Sequence, residues 1–196
     1  AIVTVNVDVD GAIDAGGTGI YARSSQGKTT VNHEGGSLIA REGDGIVAKS
    51  PNSTVLVTNS GTLQAKGFGI YAESGSGSVT VSQTGSLESY EGQGIYATSG
   101  AGNVEVSATG TVTAKLGGVT ATSGGGSAKV TQTGAITSYE GKGVVVTSGS
   151  SSATLEGSGA ITSKGDAITV SSSTLATVNH TSGAIESTNG SGIKVS

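Results

Sequence analysis

The chain has 196 residues, among them 35 Gly, five Tyr, one Phe, one Pro and no Cys, Met or Trp, and its formal net charge is −4 at pH 7. So few large side chains exclude a broad globular core. The absence of Cys excludes a disulfide framework, a thiolate metal site and a cysteine nucleophile. Scattered Lys and Arg leave no basic footprint, and no apolar run approaches the roughly 20 residues of a membrane helix. Neither nucleic acid binding nor direct membrane insertion is therefore expected.

A Ser/Thr/Gly-rich chain invites a reading as disorder, but the mean hydropathy is +0.03 and the β-branched residues alternate. The start, AIVTVNVDVD, has neither the basic end nor the long apolar block of a signal peptide. It alternates Val3, Val5, Val7 and Val9 as a strand would. From there a landmark glycine recurs at Gly11, Gly36, Gly61, Gly85, Gly110, Gly134, Gly159 and Gly183, at spacings of 24 or 25. A period of that length covering the whole chain predicts one repeat domain over 1–196.

Each unit carries three short alternating segments. The first places Ile13, Leu38, Leu63, Leu87, Val112, Ile136, Ile161 and Ile185 two positions after the landmark, with Ala or Ser two further on. The second is a GI-x-A segment, such as Ile70/Ala72 and Ile95/Ala97. The third is V-x-V, such as Val55/Val57 and Val79/Val81, with Val31 and Val178 reading as shifted by one. Period two means strand, and a strand this short needs its copy one unit away as a partner. The expected fold is all-β, a single-stranded parallel β-helix with three strands per coil. Right-handed coiling is expected from the general preference of parallel crossovers.

The corner before the second strand carries Gly19, Gly45, Gly69, Gly94, Gly118, Gly143 and Gly192, with Ala167 as the exception, so a sterically restricted turn is expected there. The distance from landmark to second strand alternates between 9 and 10 residues, which makes the true repeat two coils, about 49 residues. GSLESYEGQGI at 85–95 returns as GAITSYEGKGV at 134–144, while the alternate corners read AKG, AKL or SKG. Lys66, Glu91, Lys115, Glu140 and Lys164 then follow one edge, preceded by Arg41 and Glu42. They predict a ladder of opposite charges between neighbouring coils that disfavours a slip by one coil.

Chemical sites are sparse. His33 and His180 occupy equivalent turns six units apart, about 29 Å at coil spacing, too far to share a metal ion, and are expected as exposed turn residues. The carboxylates do not converge, coils of this length have no large insertion to wall a groove, and the calcium-binding nonapeptide is absent. No catalytic residue, cofactor or metal is assigned, and a polysaccharide-acting β-helix enzyme is a distant alternative. Tyr21, Tyr71 and Tyr96 fall in one outward column, with Val47, Thr120, Val145 and Thr169 at equivalent places, and Tyr90 and Tyr139 fall at the first turn. Such tyrosines form a candidate binding patch, although Tyr also simply covers strands.

The recurrent GIYA, TSGxG, VxV and TG(S/A)(L/I) strings, spread over nearly all of the chain, resemble passenger domains of bacterial autotransporters, the surface adhesins of Gram-negative bacteria. The resemblance implies a right-handed parallel β-helix, export to the cell surface or medium, and an adhesive or stalk role toward a host-cell or matrix protein or a glycan. The lack of Cys fits a secreted bacterial protein. Val3, Val5 and Val7 at one end and Ile193 and Val195 at the other leave apolar columns open. The alternative expectation is thus a homopolymeric extracellular filament whose subunits associate end to end.

Overall fold

The structure, a computed structural model, describes residues 2–8 and 11–196; Val9, the last member of the opening alternation, lies outside the described residues. Among the described residues 24 strands form three sheets of eight, all paired in parallel, and no helix occurs. The first sheet runs from Ala12–Ala15 to Ile185–Ser187, the second from Ile20–Arg23 to Ile193–Val195, and the third from Val3–Asp8 to Ala176–His180. In each sheet a strand pairs with the same segment one coil before and one coil after. Leu63 lies between Leu38 and Leu87, Ile95 between Ile70 and Val119, and Val81 between Val57 and Val106. The chain is a parallel β-solenoid of about 25 residues per coil.

These segments become strands because alternation puts one side of each in the interior, and stacking supplies the backbone partners that strands of three to seven residues lack alone. Nearly all inward Ile, Val, Leu and Ala side chains from Ile20 to Val170 are buried in one continuous apolar cluster. Burying such a side chain stabilises by about 1.5–3 kcal/mol, and each helps to bury its neighbours.

The two-coil repeat has a structural cause. Ala65 and Ile70 are five positions apart, whereas their register partners Ser89 and Ile95 are six apart. The extra residue is absorbed at the corner, so corners 41–44, 90–93 and 139–142 are one residue longer than those between them.

One expectation needs correction. Val31 is in register with Val57, and Val178 with Leu155. Neither is shifted; Thr29 and Ala176 simply occupy the first inward place of their strands. The sterically restricted corner before the second strand is borne out from Gly19 to Gly143, where the glycines avoid close approach to the neighbouring coil. A Cβ at Gly45 would lie 2.5 Å from Leu63 Cδ2 and 2.6 Å from the Gly69 carbonyl oxygen, while the described positive-φ glycines are elsewhere, at Gly35, Gly36 and Gly183.

Candidate functional site

The outward column of the second sheet runs Tyr21, Val47, Tyr71, Tyr96, Thr120, Val145, Thr169 and Lys194. Tyr71 and Tyr96, direct register partners, stack with ring centroids 5.4 Å apart and planes at 24°. Phe68, at the corner three residues before Tyr71, packs edge-on to Tyr71 at 5.4 Å and tilted against Tyr96 at 5.8 Å. Its backbone N–H donates to Asp44 Oδ1 at 2.8 Å, which fixes the corner that presents the ring. Lys49 Nζ lies 4.5 Å from the Tyr71 centroid and 3.2 Å from Glu73 Oε2, and the Tyr71 hydroxyl donates to the same oxygen at 3.1 Å. Burial, reinforced by Glu73, pushes the Tyr71 phenol up to about 12, so it is a neutral donor throughout the physiological range.

Three half-buried rings thus form one amphipathic platform. A depression of about 360 Å³ on one side is lined by Tyr21, Arg23, Lys49, Pro51 and Glu73. Another of about 360 Å³ on the other side is lined by Glu42, Lys66, Phe68, Glu91 and Leu116. Of the five tyrosines singled out in the sequence, the structure brings together two. Tyr21 is 59% exposed and is separated from Tyr71 by the buried Val47. Tyr90 and Tyr139 project from the longer corners; Tyr90 bonds Glu88 at 3.2 Å. Phe68 was missed in the sequence, and its signal was position: it is the chain's only Phe, three residues before Tyr71 of the tyrosine column.

The charged edge is arranged differently from the predicted ladder. Pairing of Ala65 with Ser89 puts Lys66 level with Tyr90, while Glu91 is the extra corner residue whose N–H donates to the Lys66 carbonyl at 2.8 Å. Lys66 Nζ pairs with Glu42, which holds the ammonium above its usual pKa, with Glu91 adding a more distant attraction. The other ion pairs among the described residues are Arg41–Asp14, Lys49–Glu73, Lys129–Glu156 and Lys142–Asp166. None of them joins Glu91, Lys115, Glu140 or Lys164, so the direct ladder is corrected to one contact, Lys66–Glu42. Glu42, Glu91 and Glu140 all occupy the extra position of the longer corners, and of the three only Glu42 reaches a lysine of the neighbouring coil.

At the chain's ends, Val3, Val5 and Val7 are half-buried against the apolar cluster, whereas Ile193 and Val195 are 48% and 50% exposed. No strand among the described residues pairs with the outer edges of the first and last strands.

The interior holds polar side chains that the sequence reading misplaced or did not single out. His33 is fully buried, contrary to the exposed turn expected. The alternation of its strand continues one inward step past Val31, and the third sheet thereby lines up His33, Asn59, Gln83, Ala108, Gln132, Gly157 and His180. His33 Nδ1 meets Asn59 Oδ1 at 2.5 Å, and Asn59 Nδ2 donates to Gln83 Oε1 at 2.7 Å. Gln83 Nε2 donates to the Gly85 carbonyl at 3.0 Å. In the second sheet a column of buried serines ties corner to corner. Ser99 Oγ accepts from Gly102 N–H at 2.9 Å and donates to the Gly77 carbonyl of the preceding coil at 2.8 Å; Ser123 repeats this with Gly126 and Gly102.

No family model, curated protein or solved structure matches the chain. The reading of function therefore rests on the chain's own geometry and composition. Among the described residues no group of three or more His, Cys, Asp or Glu could hold a metal ion, and no helix is long and apolar enough to cross a membrane.

Proposed function

We propose that the chain is a rigid β-solenoid rod of a bacterial surface or secreted protein, a passenger-type segment that acts by adhesion and not by catalysis. Its ligand is a glycan, or a host-cell or matrix protein presenting similar mixed polar and apolar edges. The observation that carries the reading is the Phe68, Tyr71 and Tyr96 platform, flanked by Lys49 and Glu73, on an outward column otherwise made mostly of Val and Thr. Aromatic faces stack on the C–H faces of sugars and supply rigid contact area at low entropic cost. The stacked coils hold these rings on strands, which positions them more closely than a loop would.

Binding of the chain to a glycan array and to immobilised matrix proteins, followed by the Tyr71→Ala/Tyr96→Ala double variant, tests this. The expected outcome is a ligand whose affinity falls at least about tenfold in the double variant, with an unchanged circular dichroism spectrum. Binding that survives the double substitution moves the adhesive surface away from the platform, and no binding by the wild type removes the adhesive role and leaves a spacer.

A further inference from the structure

A second outward column of the second sheet, two positions after the tyrosine column, runs Arg23, Lys49, Glu73, Thr98, Thr122 and Thr147. Its charges are confined to the first three coils, and the first two have the same sign. Arg23 and Lys49 are direct register partners, about 4.8 Å apart at strand spacing, and like charges so placed repel. Lys49 is relieved by Glu73, whose Oε2 lies 3.2 Å from its ammonium. Arg23 has no such relief. Among the described residues its guanidinium makes no ion pair and no hydrogen bond. In a chain whose net charge is −4, an arginine set against a lysine and without a carboxylate partner is a local cost with no return in stability.

The surroundings of Arg23 show what offsets that cost. Tyr21 and Arg23 alternate outward from the same strand, Ile20–Arg23, and the Tyr21 ring is among the most exposed in the chain. With Lys49, Pro51 and Glu73 they line the depression of about 360 Å³, at the small end of ligand clefts, which run from about 300 to 1,000 Å³. Lys49 and Glu73 also join this depression to the aromatic platform: the ammonium lies 4.5 Å from the Tyr71 centroid, and Glu73 accepts from the Tyr71 hydroxyl. Within the depression the Lys49–Glu73 pair cancels, which leaves one positive charge, on Arg23.

We infer that this depression is an acidic-sugar subsite, which takes a glycan residue bearing a single carboxylate. The inference rests on the adhesive reading above and names the class of glycan. The Arg23 guanidinium donates two parallel N–H bonds to the two carboxylate oxygens, a match of planar fork to planar group. Tyr21 and Pro51 present apolar surface to the C–H face of the sugar ring. Lys49 donates to ring hydroxyls and Glu73 accepts from them. One uncompensated cation suits one carboxylate, and the Glu73 carboxylate at the rim disfavours a densely sulfated chain.

A glycan array that carries uronic-acid and sialic-acid glycans beside their neutral and sulfated counterparts, probed with the intact chain, tests this. The expected result is at least about tenfold tighter binding of a carboxylated glycan than of its neutral counterpart, a preference that Arg23→Gln abolishes. Arg23→Lys, which keeps the charge and loses the fork, should restore only part of it. Arg23→Gln should melt at or slightly above the wild-type temperature at low salt, because it ends the repulsion with Lys49. A preference for neutral or sulfated glycans, or one for carboxylated glycans that survives Arg23→Gln, would overturn the subsite. So would an Arg23→Gln variant that melts below wild type, since Arg23 would then serve the fold. Binding of neutral glycans that is lost in the Tyr71→Ala/Tyr96→Ala variant would overturn the subsite and leave the adhesive platform standing, whereas binding of no glycan and no matrix protein would overturn both.

Discussion

The apolar columns and the polar column of the third sheet run side by side through the same coils and do different things. In the first sheet Leu38, Leu63 and Leu87 sit one above another, and the contact between any two coils is nearly the same as between the next two. Such columns supply stability but barely recognise register, since a slip by one coil puts Leu on Leu again. The polar column changes at each coil, His33 to Asn59 to Gln83, and each bond requires that neighbour and no other. A slip by one coil strands buried donors and acceptors. Repetition holds the rod together; departure from repetition tells each coil where it belongs.

The largest effect expected from breaking this contrast is in the apolar columns of the middle coils. Leu63 is fully buried between two leucines, and Leu63→Ala should cost about 2–5 kcal/mol in urea unfolding. The same truncation at Ile185, only partly buried in the last coil, should cost less than half of that. Equal losses at the two positions would show that position along the stack does not matter and would undo the picture of mutual burial.

Next comes the polar column. Asn59→Leu keeps the volume of the side chain, removes its bonds to His33 and Gln83 and leaves both partners buried without them. The expected cost is about 1–3 kcal/mol, with hydrogen exchange accelerating first at strands Thr29–Glu34 and Val79–Gln83. A variant as stable as wild type, with unchanged exchange, would mean that the column contributes nothing to register.

This difference also explains what could be read in advance. The coil length, three strands per coil, the two-coil repeat and the inward Ile, Leu and Val columns were legible because apolar alternation is a local signal repeated eight times. His33, Asn59, Gln83 and Gln132 were misplaced or passed over, although alternation carries straight into them in Val31-Asn32-His33, Val57-Thr58-Asn59 and Val130-Thr131-Gln132. A polar residue reads as exposed until a partner is found for it, and here the partner lies 24 to 26 residues away. The buried serines follow the same continuation in Ala72-Glu73-Ser74 and Ala97-Thr98-Ser99. The Phe68 platform was half legible. The tyrosine column follows from period two, but Phe68 reaches it from a corner, where no period applies.

The smallest effect concerns the charged edge, which stands between the two kinds of column: it varies from coil to coil as the polar column does, but in water. Lys66 bonds Glu42 and feels Glu91 from the next long corner. Replacing Glu91 and Glu140 by Lys puts positive charge beside Lys66, Lys115 and Lys164 without removing any ion pair among the described residues. The expected loss is about 1–3 °C in melting temperature at ~0.01 M salt, where charges interact over about 30 Å, and little at ~1 M, where the range falls to about 3 Å. Glu42→Gln, which removes a bonded partner, should retain more of its effect in salt than the double reversal does, because a contact pair is screened less than a through-solvent one. If the double reversal costs the same at both salt concentrations, its effect is steric, and the longer corners matter for their backbone path and not for their charge.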